Sequence, residues 1–142
     1  RITLAITEKR RMAMTHDEVF AKVSEVLQEA LGVDEDEVTP EAKLSADLGA
    51  ESIDYPDISF RLEKAFGIKI EQAEMTQEAV LTNPEYVQDG KVTDAGMAQL
   101  REKLPDANWD EFDQSRAVSD FMDVFTVDLI VKFVERKLAE KA

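Results

Sequence analysis

The chain has no cysteine, which removes disulfides, thiolate metal sites and thiol catalysis together. It has one histidine, His16, beside the first helix start. With no neighbour suited to acid–base or metal chemistry, His16 is expected on the surface, and no metal site is expected anywhere. Cations are scarce: 17 Lys and Arg stand against 31 Asp and Glu, a net charge of −14. Nucleic acid is excluded as a partner, because binding it needs cations on the protein. Basic protein surfaces are the natural partners instead, with charge steering the encounter. Apolar runs are too short to cross a bilayer, so no membrane span is expected.

The 142 residues, 44% hydrophobic, suffice for one domain and are short for two. Residues 1–13 contrast with the remainder. They hold four basic side chains and one acidic, which leaves −17 for the other residues. This segment lacks the long apolar core of a signal peptide, and Met12 or Met14 is a candidate start. Residues 1–13 are therefore expected to be a flexible extension outside the fold, and 14–142 a single domain.

Three helices stand out. Thr15 with Glu18 forms a capping box, and Phe20, Val23, Leu27, Ala30 and Leu31 follow as one apolar face that ends at Gly32. A second helix, roughly Ser52 to Phe66, carries Ile58, Leu62 and Phe66 every four residues and stops at Gly67. The last runs over about 126–140, with Val127, Ile130, Val131, Val134 and Leu138 on one side. Residues 33–50 show no sustained period and read as a long ordered loop with Val38 and Leu44 tucked inward. The acidic run Asp34 to Glu37 lacks the spacing and glycine of a calcium loop, so it reads as solvated charge.

Residues 47–54, Asp-Leu-Gly-Ala-Glu-Ser-Ile-Asp, carry the chemistry. Ser52 is expected where loop becomes helix, its hydroxyl exposed near the free N–H groups of a first turn. Such a position favours an attached anion. No histidine accompanies it and its neighbours are acidic, which argues against nucleophilic catalysis. Simple helix capping by Ser52 is the plainer alternative.

Glu51-Ser52-Ile53 in this context resembles the Asp-Ser-Leu prosthetic-group site of acyl carrier proteins. The stretch Asp57-Ile58-Ser59-Phe60 through Phe66-Gly67-Ile68-Lys69-Ile70 is also similar to the specialised carriers that deliver very-long-chain hydroxyacyl groups to lipid A. The resemblance implies an all-α, acyl-carrier-like bundle of three main helices plus short ones. It implies 4′-phosphopantetheine joined covalently to Ser52 by a phosphopantetheinyl transferase, with acyl groups held as thioesters on the arm. It also implies a cytoplasmic, non-enzymatic monomer serving acyl-chain synthesis and transfer enzymes that have basic docking surfaces. Asp47, Glu51, Ile53, Asp54, Asp57, Phe60, Glu63 and Ile68 become candidates for partner recognition or the acyl pocket. A peptidyl or aminoacyl carrier, and an unmodified carrier-like interaction domain, are the alternative functions.

Two features depart from the family pattern. Pro56 donates no N–H, clashes with the carbonyl four residues back and disfavours helical geometry at Tyr55; the regular helix is therefore expected to begin near Pro56. About fifty residues, Glu71 to Phe125, separate the second helix from the last. This insertion, at about 71–120, is expected to be largely helical. Thr93 caps a helix to Leu104, and Asn83-Pro84 and Asp89-Gly90 mark turns. Trp109 and Phe112 are expected to anchor the insertion to the bundle, the alternative being a lining for a long acyl chain or a docking patch.

Overall fold

The computed structural model describes residues 15–51, 53–71, 74 and 77–141; the extension 1–13 lies outside them. Helix α1, His16–Leu31, starts as the sequence predicts. Thr15 Oγ1 accepts from the Glu18 N–H at 3.1 Å, and the Glu18 carboxylate accepts from the Thr15 N–H at 3.0 Å. Gly32 ends it at φ 67°, a left-handed conformation that glycine adopts without steric cost. Val19, Val23, Val26 and Leu27 point into the core.

Helix α2 is Asp54–Phe66, so it begins after Ser52 and close to Pro56, while the expectation that Tyr55 is pushed out of helical geometry is corrected. Pro56 is the third helical residue, and in the first turn its missing N–H would have had no intrahelical acceptor anyway. Tyr55 is accordingly helical and buried. Ile58, Leu62 and Phe66 form the buried stripe as expected.

The loop between α1 and α2 contains one 3₁₀ turn, Glu35–Glu37, and buries Val38 and Leu44. It is stitched to the final helix, α6, Val127–Lys141. The N–H of Leu44 donates to the Phe125 carbonyl at 3.0 Å, that of Val127 to Ala42 at 3.0 Å, and that of Asp128 to Pro40 at 2.9 Å. These bonds give the loop's backbone groups partners within the fold. His16 does have a partner: its Nδ1 lies 3.2 Å from the Glu135 carboxylate, joining the start of α1 to the far part of α6.

The insertion is mostly helical: α3, Glu78–Leu81, α4, Asp94–Lys103, α5, Asp110–Ser115, and a 3₁₀ segment, Val118–Val124. Thr93 caps α4 by accepting from the Gly96 N–H at 3.1 Å. Asp89-Gly90 does more than turn the chain. With φ of 54° and 76° it closes a hairpin of two short strands, β1, Val87–Gln88, and β2, Lys91–Val92. Positive φ at both turn residues matches the twist of paired strands. This small ribbon is the one departure from an otherwise all-α fold among the described residues.

Trp109 and Phe112 are buried anchors, as expected. Their rings meet edge to face at 5.8 Å; Phe121 lies 6.3 Å from Trp109 and 5.5 Å from Phe125; Phe125 reaches Tyr55 of α2 at 6.0 Å. The indole N–H donates to the Leu104 carbonyl at 3.2 Å. Arg116, in left-handed conformation at φ 57°, bridges Asp94 at 2.6 Å and Asp113 at 2.8 Å. The Arg116 guanidinium holds the Asp113 carboxyl below the usual carboxylate range. Among the described residues, no helix is long and apolar enough to cross a membrane, and no cluster of acidic or histidine side chains is set to hold a metal.

Candidate functional site

Ser52 lies outside the described residues; the chain on either side of it does not. Glu51 and Ile53 are both exposed, Ile53 at 76% of its surface. The N-cap position of α2 falls on Ile53, which supplies no side-chain cap. Asp54 closes the turn instead. Its carboxylate accepts from the Glu51 N–H at 2.7 Å, and its own N–H donates to the Glu51 carbonyl at 2.8 Å. A carboxylate in the first turn of a helix also complements the positive end of the helix dipole.

The other candidates fall into two groups. Ile53 and Phe60 are the large apolar side chains that α2 and its N-cap leave in solvent, Phe60 at 54%. The Lys64 ammonium sits 4.6 Å from the centre of the Phe60 ring. Asp57 is exposed, and its carboxylate accepts from Arg61 Nε at 2.9 Å. These side chains, with Glu51, make a surface of mixed charge with apolar points.

The second group also makes contacts within the fold. Asp47 is exposed, but its carboxylate accepts from the Lys43 N–H at 2.8 Å and shapes the loop. The Glu63 carboxylate accepts from the Ile70 N–H at 2.7 Å, tying the segment after Gly67 back to α2. Ile68 is half-buried against the core and away from solvent contact of the Phe60 kind. Spacing along a helix cannot show that a carboxylate four residues from the end turns back to cap the following loop.

Sequence reasoning did not single out Tyr55 beyond its place before Pro56, nor Phe121 and Phe125. Tyr55 is 2% exposed. Its phenol is pushed up to about 12, first by burial and then by the negative charges of Asp123 and Asp54. Asp123 is held by the Ser45 hydroxyl, which donates to it at 2.9 Å. The available signal was the helical register: Tyr55, Ile58, Leu62 and Phe66 recur at three- and four-residue steps, the spacing of one buried face.

Clefts among the described residues lie elsewhere. One, of about 330 Å³, lies between α6 and the insertion, floored by Leu104, Leu129 and Phe133. Another, of about 530 Å³, is bounded by Lys43, Phe112 and Asp123. Ile53 and Phe60 line neither.

Residues 21–82 match a family described as the phosphopantetheine attachment site. The chain is similar to the acyl carrier protein of Thermotoga maritima, at 46% identity over 61 residues, which are 43% of this chain and 75% of that protein. It is 41% identical over 70 residues to the acyl carrier protein of Petrotoga mobilis, spanning 49% of this chain and 82% of the relative. It is 42% identical over 73 residues to the acyl carrier protein AcpXL of Brucella melitensis, spanning 51% of this chain and 70% of the relative.

Proposed function

The chain belongs to the acyl carrier protein family, and on that premise we propose that Ser52 carries 4′-phosphopantetheine and that the protein is a carrier for a specialised lipid pathway. In this family the group is covalently attached, and its terminal thiol holds acyl chains as thioesters. The observation that carries the assignment is the exposure of Glu51 and Ile53. A transferase must reach the serine between them, and exposed flanks fit that requirement. Because the chain has no cysteine, the arm is the only source of a thiol.

The specialised reading rests on two supports. One is the similarity to AcpXL alongside the ordinary carriers. The other is α2 itself, where Arg61 and Lys64 stand among Asp54, Asp57 and Glu63. Such mixed charge narrows the set of partners, since a charge reversed at a rim chiefly alters specificity and association rate. The chains carried are long or hydroxylated, and the protein acts as a monomer in which residues 14–142 form one domain with 71–120 as an insertion on the bundle.

Incubation with a phosphopantetheinyl transferase and coenzyme A adds one arm, read by intact mass, and Ser52→Ala takes none. A labelled Ser52→Ala protein sinks the assignment. A holo protein that accepts aminoacyl groups from an adenylating enzyme, and no fatty acyl group from an acyl-activating one, sinks the lipid reading.

A further inference from the structure

We propose that the cleft between α6 and the insertion binds a free carboxylic acid with an apolar chain of about ten carbons, its carboxylate set between Lys103 and Arg136. The inference goes beyond the carrier reading and does not depend on Ser52. The cleft holds about 330 Å³, within the range of small-molecule sites and roughly twice a cavity that takes up benzene. Its floor comes from two stretches distant in sequence. Leu129 and Phe133 are four apart on α6 and share a face, and Leu104, the residue after α4, lines the same floor. Leu104 and Leu129 are buried and Phe133 is half-buried.

The rim supplies the charge. Lys103, the last residue of α4, is exposed and has no ion-pair partner among the described residues. Arg136 Nε and Nη2 both donate to one Asp106 oxygen, at 3.2 and 2.8 Å. That fixes the guanidinium and leaves Nη1 without a partner among the described residues. Lys137 donates to the Glu74 carboxylate at 2.7 Å and lies 5.6 Å from the centre of the Phe133 ring. The paired acids hold these cations beside the floor, and N–H groups remain to receive an anion.

Three cations and three carboxylates line this cleft, in a chain with 17 basic and 31 acidic residues. An anion repelled elsewhere on the surface meets no excess of negative charge here. Glu140, towards the end of α6, lines the cleft without an ion-pair partner among the described residues. A second negative charge on the ligand would meet it, which favours a carboxylate over a dianionic phosphate monoester. A thioester of the same acid carries no charge and loses the rim contacts. The site therefore reads the free acid, the product of thioester hydrolysis, and not a chain attached to an arm.

The test uses the unmodified full chain and decanoate below its micelle concentration, followed by calorimetry and by the fluorescence of Trp109. This is the only tryptophan, and its indole N–H donates to the Leu104 carbonyl at 3.2 Å, so a ligand on Leu104 is reported directly. Decanoate binds one to one and changes the emission. Decanol, of equal length and uncharged, binds about tenfold more weakly. Decyl phosphate, a dianion at about pH 8, also binds more weakly than decanoate. Lys103→Gln combined with Arg136→Gln weakens decanoate about tenfold and leaves decanol unchanged, whereas Phe133→Ser weakens both. Backbone amide shifts on adding decanoate fall at Leu104, Leu129 and Phe133.

No saturable binding overturns the proposal. So do equal affinities for decanoate and decanol, tighter binding of decyl phosphate, a decanoate affinity unchanged in the double variant, or shifts confined to Ile58 and Leu62 in the core. A dimer that dissociates on Phe133→Ser overturns it as well, by giving the cleft to a second copy. Each of these outcomes leaves the assignment of Ser52 standing.

Discussion

Tyr55 and Phe125 lie with ring centroids 6.0 Å apart and planes tilted by 59°, so the first turn of α2 rests on the segment that leads from the insertion into α6. From Phe125 the contact passes through Phe121 to Trp109 and Phe112. The insertion is thereby part of the same core as α1, α2 and α6. Whatever perturbs its aromatic ladder is felt beside the contact between Glu51 and Asp54 at the start of α2.

Trp109→Ala should destabilise the protein by about 3–5 kcal/mol, the range for removing a large buried aromatic side chain. Urea unfolding followed by circular dichroism measures it, since the substitution removes the tryptophan signal. A loss within a few tenths of a kcal/mol would show that the ring bears no weight in the fold.

Gly96 tests the packing between α4 and the hairpin. A Cβ there would collide with the Tyr86 carbonyl oxygen and stand 2.6 Å from Val92 Cγ1. Despite the better helix propensity of alanine, Gly96→Ala should destabilise by about 1–3 kcal/mol through overpacking. A more stable Gly96→Ala protein, in the same urea assay, would contradict the close approach.

Tyr55 predicts an alkaline transition. Its phenol titrates at about 12 in the folded protein against 10.0 for an unperturbed tyrosine. Below pH 10 both folded and unfolded states keep the proton, and stability is unaffected. Between pH 10 and 12 the unfolded chain releases its proton first, so stability falls by about 2–3 kcal/mol as pH rises. Lysines also titrate in this window, so the measurement is the difference between the original protein and Tyr55→Phe. That difference should grow from pH 10 to 12 and be flat below it.

The exposed points of α2 should matter for partners and hardly at all for folding. Phe60→Ala, with a side chain more than half in solvent, should shift stability by less than about 0.5 kcal/mol. It should slow modification by a phosphopantetheinyl transferase or raise the KM for the carrier. Association should also slow as salt rises, because exposed charges are screened beyond about 10 Å at 0.1 M ionic strength. Nine acidic residues and one lysine between Asp34 and Asp57 make that dependence steep. Salt-independent association, with Phe60→Ala indistinguishable from the original protein, would remove α2 as the docking element.

Much of this was legible along the chain because it is local. A capping box needs only Thr15 and Glu18, a helix stripe only residues three and four apart, and a left-handed stop only Gly32 or Gly67. The family signature around residues 47–54 is local too, and so was the helix at 93–104, whereas the burial of Trp109 against Phe121 was decided by the tertiary structure. Tyr55 was wrongly expected outside helical geometry because a rule for proline in helix interiors was applied within a first turn, where no N–H is required. What only the tertiary structure decided depends on groups distant in sequence. Glu63, a docking candidate, is also a loop tie because Ile70 presents an N–H to it. Asp89-Gly90 became a hairpin because Val87 and Val92 could pair. Tyr55 and Ser59 were left with buried hydroxyls that have no hydrogen-bond partner, because hydrogen bonding inside a core is settled by which side chains meet there, not by their order along the chain.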